Sequence, residues 1–498
     1  MSKITNRQAR PQRNSRRRAL VLVLVQLALL AHIAHWLLTG SSIAPLEPSE
    51  AISFARSKVV TPGLIVLCVA VLSTLFVGRF FCGWACHLLA VQDGCAWLLR
   101  RLKIRTRPLR SRVLRLVPIL AFVWMFLVPL YSRISSGGSH TLTTEWVTSA
   151  FWKTFPGPVV SIITFLVAGC YVVYLLGNKA YCNYACPYGA ILGASDSFSV
   201  GRIVVDDSKC NSCMVCTQVC SSNVIVHQEI KEFGAVVDSN CMKTLDCVAN
   251  CPTQALSFQL SKPAIMRRAG PPPVSTLHPL TWSEELVLAL GFCFGFFATH
   301  DLFGAVPFLL ALGFGLVSAH GALQFKRKKV SWAQSKINFV AVVFASSFFL
   351  HAALVQSQAL MRDYHFNQTF DLRMGYLRGE VSLPLKPESM QAFLDAAFFA
   401  STTEWISYAG QERNAYVHGW THLMSGDSEG FEREMYEVLD RRPDFGEVMF
   451  QLGIHYWVSG KEPQAIEILQ KIDHSDPKYL TAQEYIEKIN SHALEHQH

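Results

Sequence analysis

Seven stretches of the chain are apolar for close to the length that a bilayer crossing needs, about 20 residues. They cover about 18–38, 60–78, 113–131, 157–176, 284–300, 304–322 and 337–355. The fifth is cut short by His300 and Asp301. The first is too long and unbroken for a cleaved leader and lacks a small-residue cleavage site, so it reads as a retained anchor. Between the fourth and fifth stretches the pattern changes. Short β-prone pieces appear at Arg202-Ile-Val-Val, Ile225-Val-His, Ala235-Val-Val-Asp and Ala255-Leu-Ser-Phe. They predict two small hairpins. Beyond residue 356 the pattern is that of short helices.

Charge gives these stretches a direction. Residues 1–18 hold seven Lys/Arg and no acid, 79–115 hold nine and one acid, and 326–336 hold five. The loops 39–59 and 132–156 hold two each. Basic runs could be solvated faces or nucleic-acid patches, but these abut the apolar stretches and alternate with poor loops. By the positive-inside rule the N-terminus is cytoplasmic, the segment 178–281 is cytoplasmic, and the tail is outside. No nucleic-acid partner is expected. Composition agrees: 51% hydrophobic, 16% charged, mean hydropathy +0.25 over 498 residues, against about 25% charged in a soluble domain. The net charge of +9 hides an asymmetry, because residues 360–498 carry 12 Lys+Arg against 22 Asp+Glu. All 15 cysteines lie at or before Cys293.

Cys210, Cys213, Cys216 and Cys220 form the run Cys-x2-Cys-x2-Cys-x3-Cys. Closely spaced thiolates of this kind wrap an iron–sulfur core, and in two-cluster ferredoxins the fourth crosses to the other cluster. A zinc site would more often show two separated pairs, and four thiols in eleven residues do not make an apolar core. The second run, Cys241-Met-Lys-Thr-Leu-Asp-Cys247-Val-Ala-Asn-Cys251-Pro252, fits the same template with Thr244 in the second position. The expected first cluster is a 4Fe–4S group on Cys210, Cys213, Cys216 and Cys251. The second has only Cys220, Cys241 and Cys247. It is then a 3Fe–4S cluster, or a 4Fe–4S cluster completed by a non-cysteine ligand such as Asp246 or by a borrowed cysteine.

Two more pairs follow apolar stretches: Arg79-Phe-Phe-Cys82-Gly-Trp-Ala-Cys86-His87 and Lys179-Ala-Tyr-Cys182-Asn-Tyr-Ala-Cys186-Pro187. They align at an offset of 100 as basic, aromatic, Cys, aromatic, Ala, Cys. Internal repeats of membrane units often place a shared site at their interface. If helical, each pair shares one face. Cys82, Cys86, Cys182 and Cys186 could hold a metal or an extra cluster, form dithiol couples, or guide a quinone; packing as small apolar groups is the alternative. Cys68, Cys95, Cys170 and Cys293 read as packing residues.

The paired motifs, the apolar stretches and the run Cys-Met-Lys-Thr-Leu-Asp-Cys-x3-Cys-Pro resemble the membrane polyferredoxins of the NapH/NosR type, over roughly residues 18–260. The outer loop Ile43-Ala-Pro-Leu-Glu-Pro-Ser-Glu50 is similar too. The resemblance implies quinol-linked electron transfer serving periplasmic reductases. A related group with similar motifs assists copper-oxidase assembly. His87 stands where the family has proline. No flavin-binding domain precedes the first stretch, so the flavin route of the nitrous-oxide branch is not carried over.

Two features remain. His32, His35, His300 and His351 fall near the outer ends of their stretches; His32 and His351 could ligate a haem b or hydrogen-bond a quinone, or be satisfied by backbone or water. In the tail, Gly419, Gly426 and Pro443 recur 34 residues later as Gly453, Gly460 and Pro477, and Leu452, Tyr456 and Ala465 complete the tetratricopeptide pattern. Such helix pairs stack to leave a concave binding surface.

The expected protein is mainly α: a polytopic helical membrane protein of about seven spans, with an inserted dicluster ferredoxin-like α+β segment and a C-terminal tetratricopeptide-like α-solenoid. The divisions are 1–177 (membrane, first Cys pair), 178–281 (cytoplasmic, second pair and clusters), 282–355 (membrane) and 356–498 (periplasmic). The expected function is a membrane-bound iron–sulfur subunit in a bacterial inner membrane. It would pass electrons between the quinone pool or a cytoplasmic donor and a partner docked on the tail. The alternative is an assembly factor that reduces or passes copper. A third is a scaffold whose clusters only stabilise the cytoplasmic segment.

Overall fold

The computed structural model describes residues 13–104, 106, 108–135, 142–148, 157–267, 280–302, 306–327, 336–407, 412–473, 476 and 478–495. They fall into two compact units, one within 1–300 and 306–339, the other within 301–305 and 340–498.

Five described helices of the first unit are long and apolar enough to cross a membrane: Arg16–Thr39, Leu114–Ser135, Pro158–Leu176, Trp282–Thr299 and Phe308–Lys326. Pro62–Val77 is apolar but only 16 residues long. We label the helices in chain order: α1 (Arg13–Thr39), α2 (Pro62–Val77), α3 (Phe80–Trp84), α4 (His87–Arg101), α5 (Leu114–Ser135), α6 (Pro158–Leu176), α7 (Ala180–Tyr184) and α8 (Pro187–Phe198). On α1, Leu20, Leu24, Leu27 and Leu38 are all more than half exposed. An outward face of apolar side chains suits lipid rather than water. The seventh expected stretch falls in helix Lys336–Gln368, whose first side chains lie outside the described residues.

Two glycines turn the chain after α2 and α6. Gly78 (φ 74°) and Gly177 (φ 96°) take backbone angles that L side chains avoid. After each, a short helix carries one cysteine (α3, α7) and a longer helix follows (α4, α8). A continuous helix would put each Cys pair on one face. Instead, Cys86 and Cys186 lie past the short helices, as the extended N-cap residues of α4 and α8. Three of the four cysteines also sit beside the first turns of the apolar part of α1. Arg18 reaches the Gly83 carbonyl, Leu22 packs in one cluster with Cys82, Cys86 and Cys182, and Gln26 donates to the His87 carbonyl at 2.6 Å. At 1.5 Å rise per residue, Gln26 lies about 12 Å further along α1 than Arg18.

The segment after α8 holds one antiparallel sheet, β1 (Gly201–Val205) paired with β2 (Leu256–Leu260), Ile203 opposite Phe258. The expected second hairpin is absent from the described residues: Ala235 makes only an isolated bridge to Val204. The piece at Ile225 is helical instead, α9 (Val226–Phe233), because Val226 and Ile230 are one turn apart and both buried, and Gly234 (φ 67°) ends the helix.

In the second unit, helix Pro387–Ile406 packs on Glu412–Met424, which pairs with Ser428–Arg441; Gly446–Val458 pairs with Glu462–Gln470, and Tyr479–Glu495 follows. Gly426 and Gly460 take positive φ at the two corresponding turns. The core holds Trp420, Phe431, Leu452 and Leu469, all wholly buried.

Candidate iron–sulfur and membrane-motif sites

The two Cys runs of the ferredoxin segment share one backbone. Non-glycine residues with positive φ occur at Ser212, Met214 and Asn223 in the first run, and at Lys243, Leu245 and Gln254 in the second. Each pair is 31 residues apart, as are Cys210 and Cys241, Cys216 and Cys247, and Cys220 and Cys251. The short helices Val215–Gln218 and Asp246–Ala249 keep the same offset. Each left-handed residue costs of order 1 kcal/mol, and such strain persists where the surroundings impose it. The second loop therefore has the shape of the first, and Thr244 stands at the position of Cys213.

Cys216, Cys241 and Cys247 are buried in one core, and Cys210, Cys220 and Cys251 pack against it, while Cys213 is exposed. Burial, then the neighbouring Cys241, pushes the Cys220 thiol up to about 11. Burial also raises Cys241, and raises Cys247 further together with Cys241 and Cys220. Burial opposes it, yet Cys251 is lowered by its hydrogen bonds from Thr253, Leu256 and Ala255. Sulfurs this deep become thiolates only against a cation, so iron binding would release their protons. Among the described residues, no three His, Cys, Asp or Glu side chains close on one point as a single ion requires. Seven thiols on two equivalent loops fit polynuclear iron–sulfur groups.

The second loop is seated on the first membrane motif. A Cβ on Gly83 would lie 2.0 Å from the Met242 carbonyl oxygen and 3.6 Å from the Thr244 methyl. Trp84 Nε1 donates to the Lys243 carbonyl at 3.0 Å. Met242, wholly buried, joins Leu22, Leu89 and Cys182 in the cluster against which Cys82 and Cys86 pack. Gln92 Nε2 lies 3.0 Å from Cys182 Sγ.

The remaining residues are more dispersed. Asp246 accepts from Ser221 Oγ at 3.1 Å. His32 Nε2 lies 2.8 Å from the Ile43 carbonyl oxygen and His35 Nδ1 lies 3.1 Å from Ser42 Oγ. His351 belongs to the other unit. The Cys95 thiol donates to the Cys170 carbonyl at 3.5 Å, and Cys68 and Cys293 are exposed. His87 begins α4 with Nε2 3.7 Å from Glu47.

Sequence reasoning missed how the loop docks, although Gly83 stood inside the quoted motif. It also missed Asp196. Wholly buried at the end of α8, Asp196 is paired with Arg202 at 2.9 Å and Lys243 at 3.1 Å.

Fold and donor set define an iron–sulfur protein built on apolar helices, and comparison with known proteins agrees. A family model described as a 4Fe-4S binding domain matches residues 59–106 and 158–204, the two membrane motifs. A 4Fe-4S dicluster domain matches residues 202–252. The ferredoxin-type protein NapH of Haemophilus influenzae is 29% identical over 229 residues, 45% of this chain and 73% of that protein. NapH of Escherichia coli is 26% identical over 200 residues, 38% of this chain and 66% of that protein. The methylamine utilization ferredoxin-type protein MauN of Methylorubrum extorquens is 25% identical over 224 residues, 41% of this chain and 72% of that protein. No solved structure matches. The Cys-bearing part of the chain is that of a NapH-like polyferredoxin.

Proposed function

We propose that the protein is a membrane-bound iron–sulfur electron-transfer subunit of a bacterial inner membrane. It passes electrons between the quinone pool or a cytoplasmic donor and a redox or assembly partner on its tail. The observation that carries this reading is the seating of the second cluster loop on the membrane motif, through Gly83, Trp84 and Met242. A relay needs its stations in contact, and a merely structural pair of clusters does not.

In this reading Cys210, Cys213, Cys216 and Cys251 hold one 4Fe–4S cluster. Cys220, Cys241 and Cys247 hold the second, with a non-cysteine fourth position. Cys82, Cys86, Cys182 and Cys186 hold a further cluster, supported by the match of the 4Fe-4S binding domain to both motifs. Bound iron–sulfur groups supply one-electron chemistry; the chain's own residues hold and insulate them. The Glu47–His87 pair, one residue beyond Cys86, is the polar group best placed to hydrogen-bond a quinone, since ionisable groups beside apolar spans are functional candidates. The basic loops support a cytoplasmic N-terminus and cluster segment with a periplasmic tail. The paired helices of the tail support a tetratricopeptide-like docking platform.

The test is reduction of the intact protein in lipid vesicles by added quinol, followed optically. The expected result is bleaching of the iron–sulfur absorbance in the intact protein and its loss in Cys82→Ala/Cys182→Ala. Clusters that dithionite reduces but quinol and cytoplasmic ferredoxins do not would overturn the relay.

A further inference from the structure

The repeat that supplies the membrane-motif thiols also supplies two buried cations. Arg79 and Lys179 stand three residues before Cys82 and Cys182, and are 2% and 0% exposed. Both reach across to the ferredoxin segment. Arg79 donates to the Ser239 carbonyl at 2.7 Å, two residues before Cys241, and its other terminal nitrogen lies 3.8 Å from Cys82 Sγ. Lys179 Nζ donates to Ser221 Oγ at 2.8 Å and lies 3.5 Å from Ser222 Oγ, the two residues after Cys220. A third cation, Lys243, is wholly buried between Cys241 and Cys247.

Several acids lie among them. Asp196 and Glu285 are the acids that are wholly buried among the described residues. Glu285 binds the turn at Ser111 and Arg112, away from this region. Asp196 is shared between Lys243 and Arg202 and also accepts the Arg79 N–H at 3.1 Å. Of the half-buried acids, Asp93 pairs with Arg18 at 2.5 Å and also faces Lys179, Asp246 accepts from Ser221 and faces Lys179 too, and Glu229 lies beside Lys243. A buried charge left unmatched is strongly destabilising. A cluster held by thiolates is net negative, and Lys179 and Lys243 lie beside its ligand positions. The first thiol set has no such company. The ion pair beside it, Lys209 with Asp206, is exposed to solvent, and Cys213 is exposed.

Net charge around a cluster tunes its reduction potential. Cations favour the more negative, reduced state. Burial alone works the other way, but Lys243, two residues past Cys241, and Lys179, bonded to the residues after Cys220, act at short range in a weakly screening interior, while Arg79 lies nearest Cys82 and reaches the segment through the Ser239 carbonyl. We propose that Arg79, Lys179 and Lys243 form a positive collar that raises the potential of the second cluster above that of the first. An electron entering the ferredoxin segment then comes to rest beside the membrane motif. The transfer is one electron from first cluster to second, with no bond made or broken. This rests on the two-cluster reading above.

The experiment is a redox titration of the whole protein in detergent, followed by electron paramagnetic resonance. Signals are assigned by their loss in Cys216→Ala and Cys247→Ala. The second cluster should titrate at the higher potential. Lys179→Gln and Lys243→Gln should each lower it and leave the first unmoved, while Asp196→Asn should raise it. Lys179→Arg and Lys243→Arg, which keep the charge, should hold it near the original value. If a glutamine variant loses its second cluster, the arginine variants and Asp196→Asn carry the comparison. A second cluster below the first, or midpoints indifferent to these charges, would overturn the collar. A native protein with a single cluster signal would overturn the two-cluster reading instead.

Discussion

Replacing Gly83 with valine is expected to slow electron passage between the membrane motif and the ferredoxin segment by about tenfold or more, with the ferredoxin-segment iron retained. The reason is steric. Even a methyl at Gly83 would meet the Met242 carbonyl oxygen at 2.0 Å, and a backbone oxygen cannot rotate away. The 241–247 loop must lift, breaking the Trp84–Lys243 hydrogen bond and parting Met242 from Cys82 and Cys182. Overpacking of this kind costs about 1–3 kcal/mol or more. Lifting the loop lengthens the gap between the two stations, and electron transfer slows as the gap grows. Stopped-flow reduction of the variant by quinol, beside its iron content, measures both. An unchanged rate would mean that the contact is not on the path.

The second large effect is expected at Thr244. It occupies the place of Cys213, with the same left-handed residues on both sides, Lys243 and Leu245 for Ser212 and Met214. A cysteine there should complete a four-thiolate set without rebuilding the loop. In Thr244→Cys the second cluster's paramagnetic signature should change to that of an ordinary four-cysteine cubane, and its potential should move, because ligand type sets both. The first cluster should be untouched. Thr244 is only 8% exposed and its methyl faces Gly83, so serine at this position should leave the spectrum near the native one. A spectrum unaltered by the cysteine would show that the fourth position is already filled from elsewhere.

What the sequence disclosed, and what it did not, divides along a physical line. Thiol spacing is local: the second run could be laid on the first residue by residue, and the backbone keeps that alignment down to the paired left-handed positions. Apolar length is local too, and all seven expected stretches fall on helices, one of them only 16 residues long, five of the described ones being long and apolar enough to cross a membrane. Docking depends on distant residues. Nothing near Gly83 announces that Met242 will press on it from 159 residues away. Nor does Asp196, in an unremarkable Ala-Ser-Asp-Ser stretch, announce three partners from Arg79, Arg202 and Lys243. Secondary structure failed where two patterns competed. Ile225-Val-His is β-prone taken alone, but Val226 and Ile230 bury one helical face and Gly234 caps it, so α9 forms.

The most direct measurement is electron paramagnetic resonance of the purified, intact protein under graded reduction, with its iron quantified. Two distinguishable iron–sulfur signals from the ferredoxin segment are predicted, one abolished by Cys216→Ala and the other by Cys247→Ala. Iron-free protein, or signals that outlast both substitutions, would contradict the account.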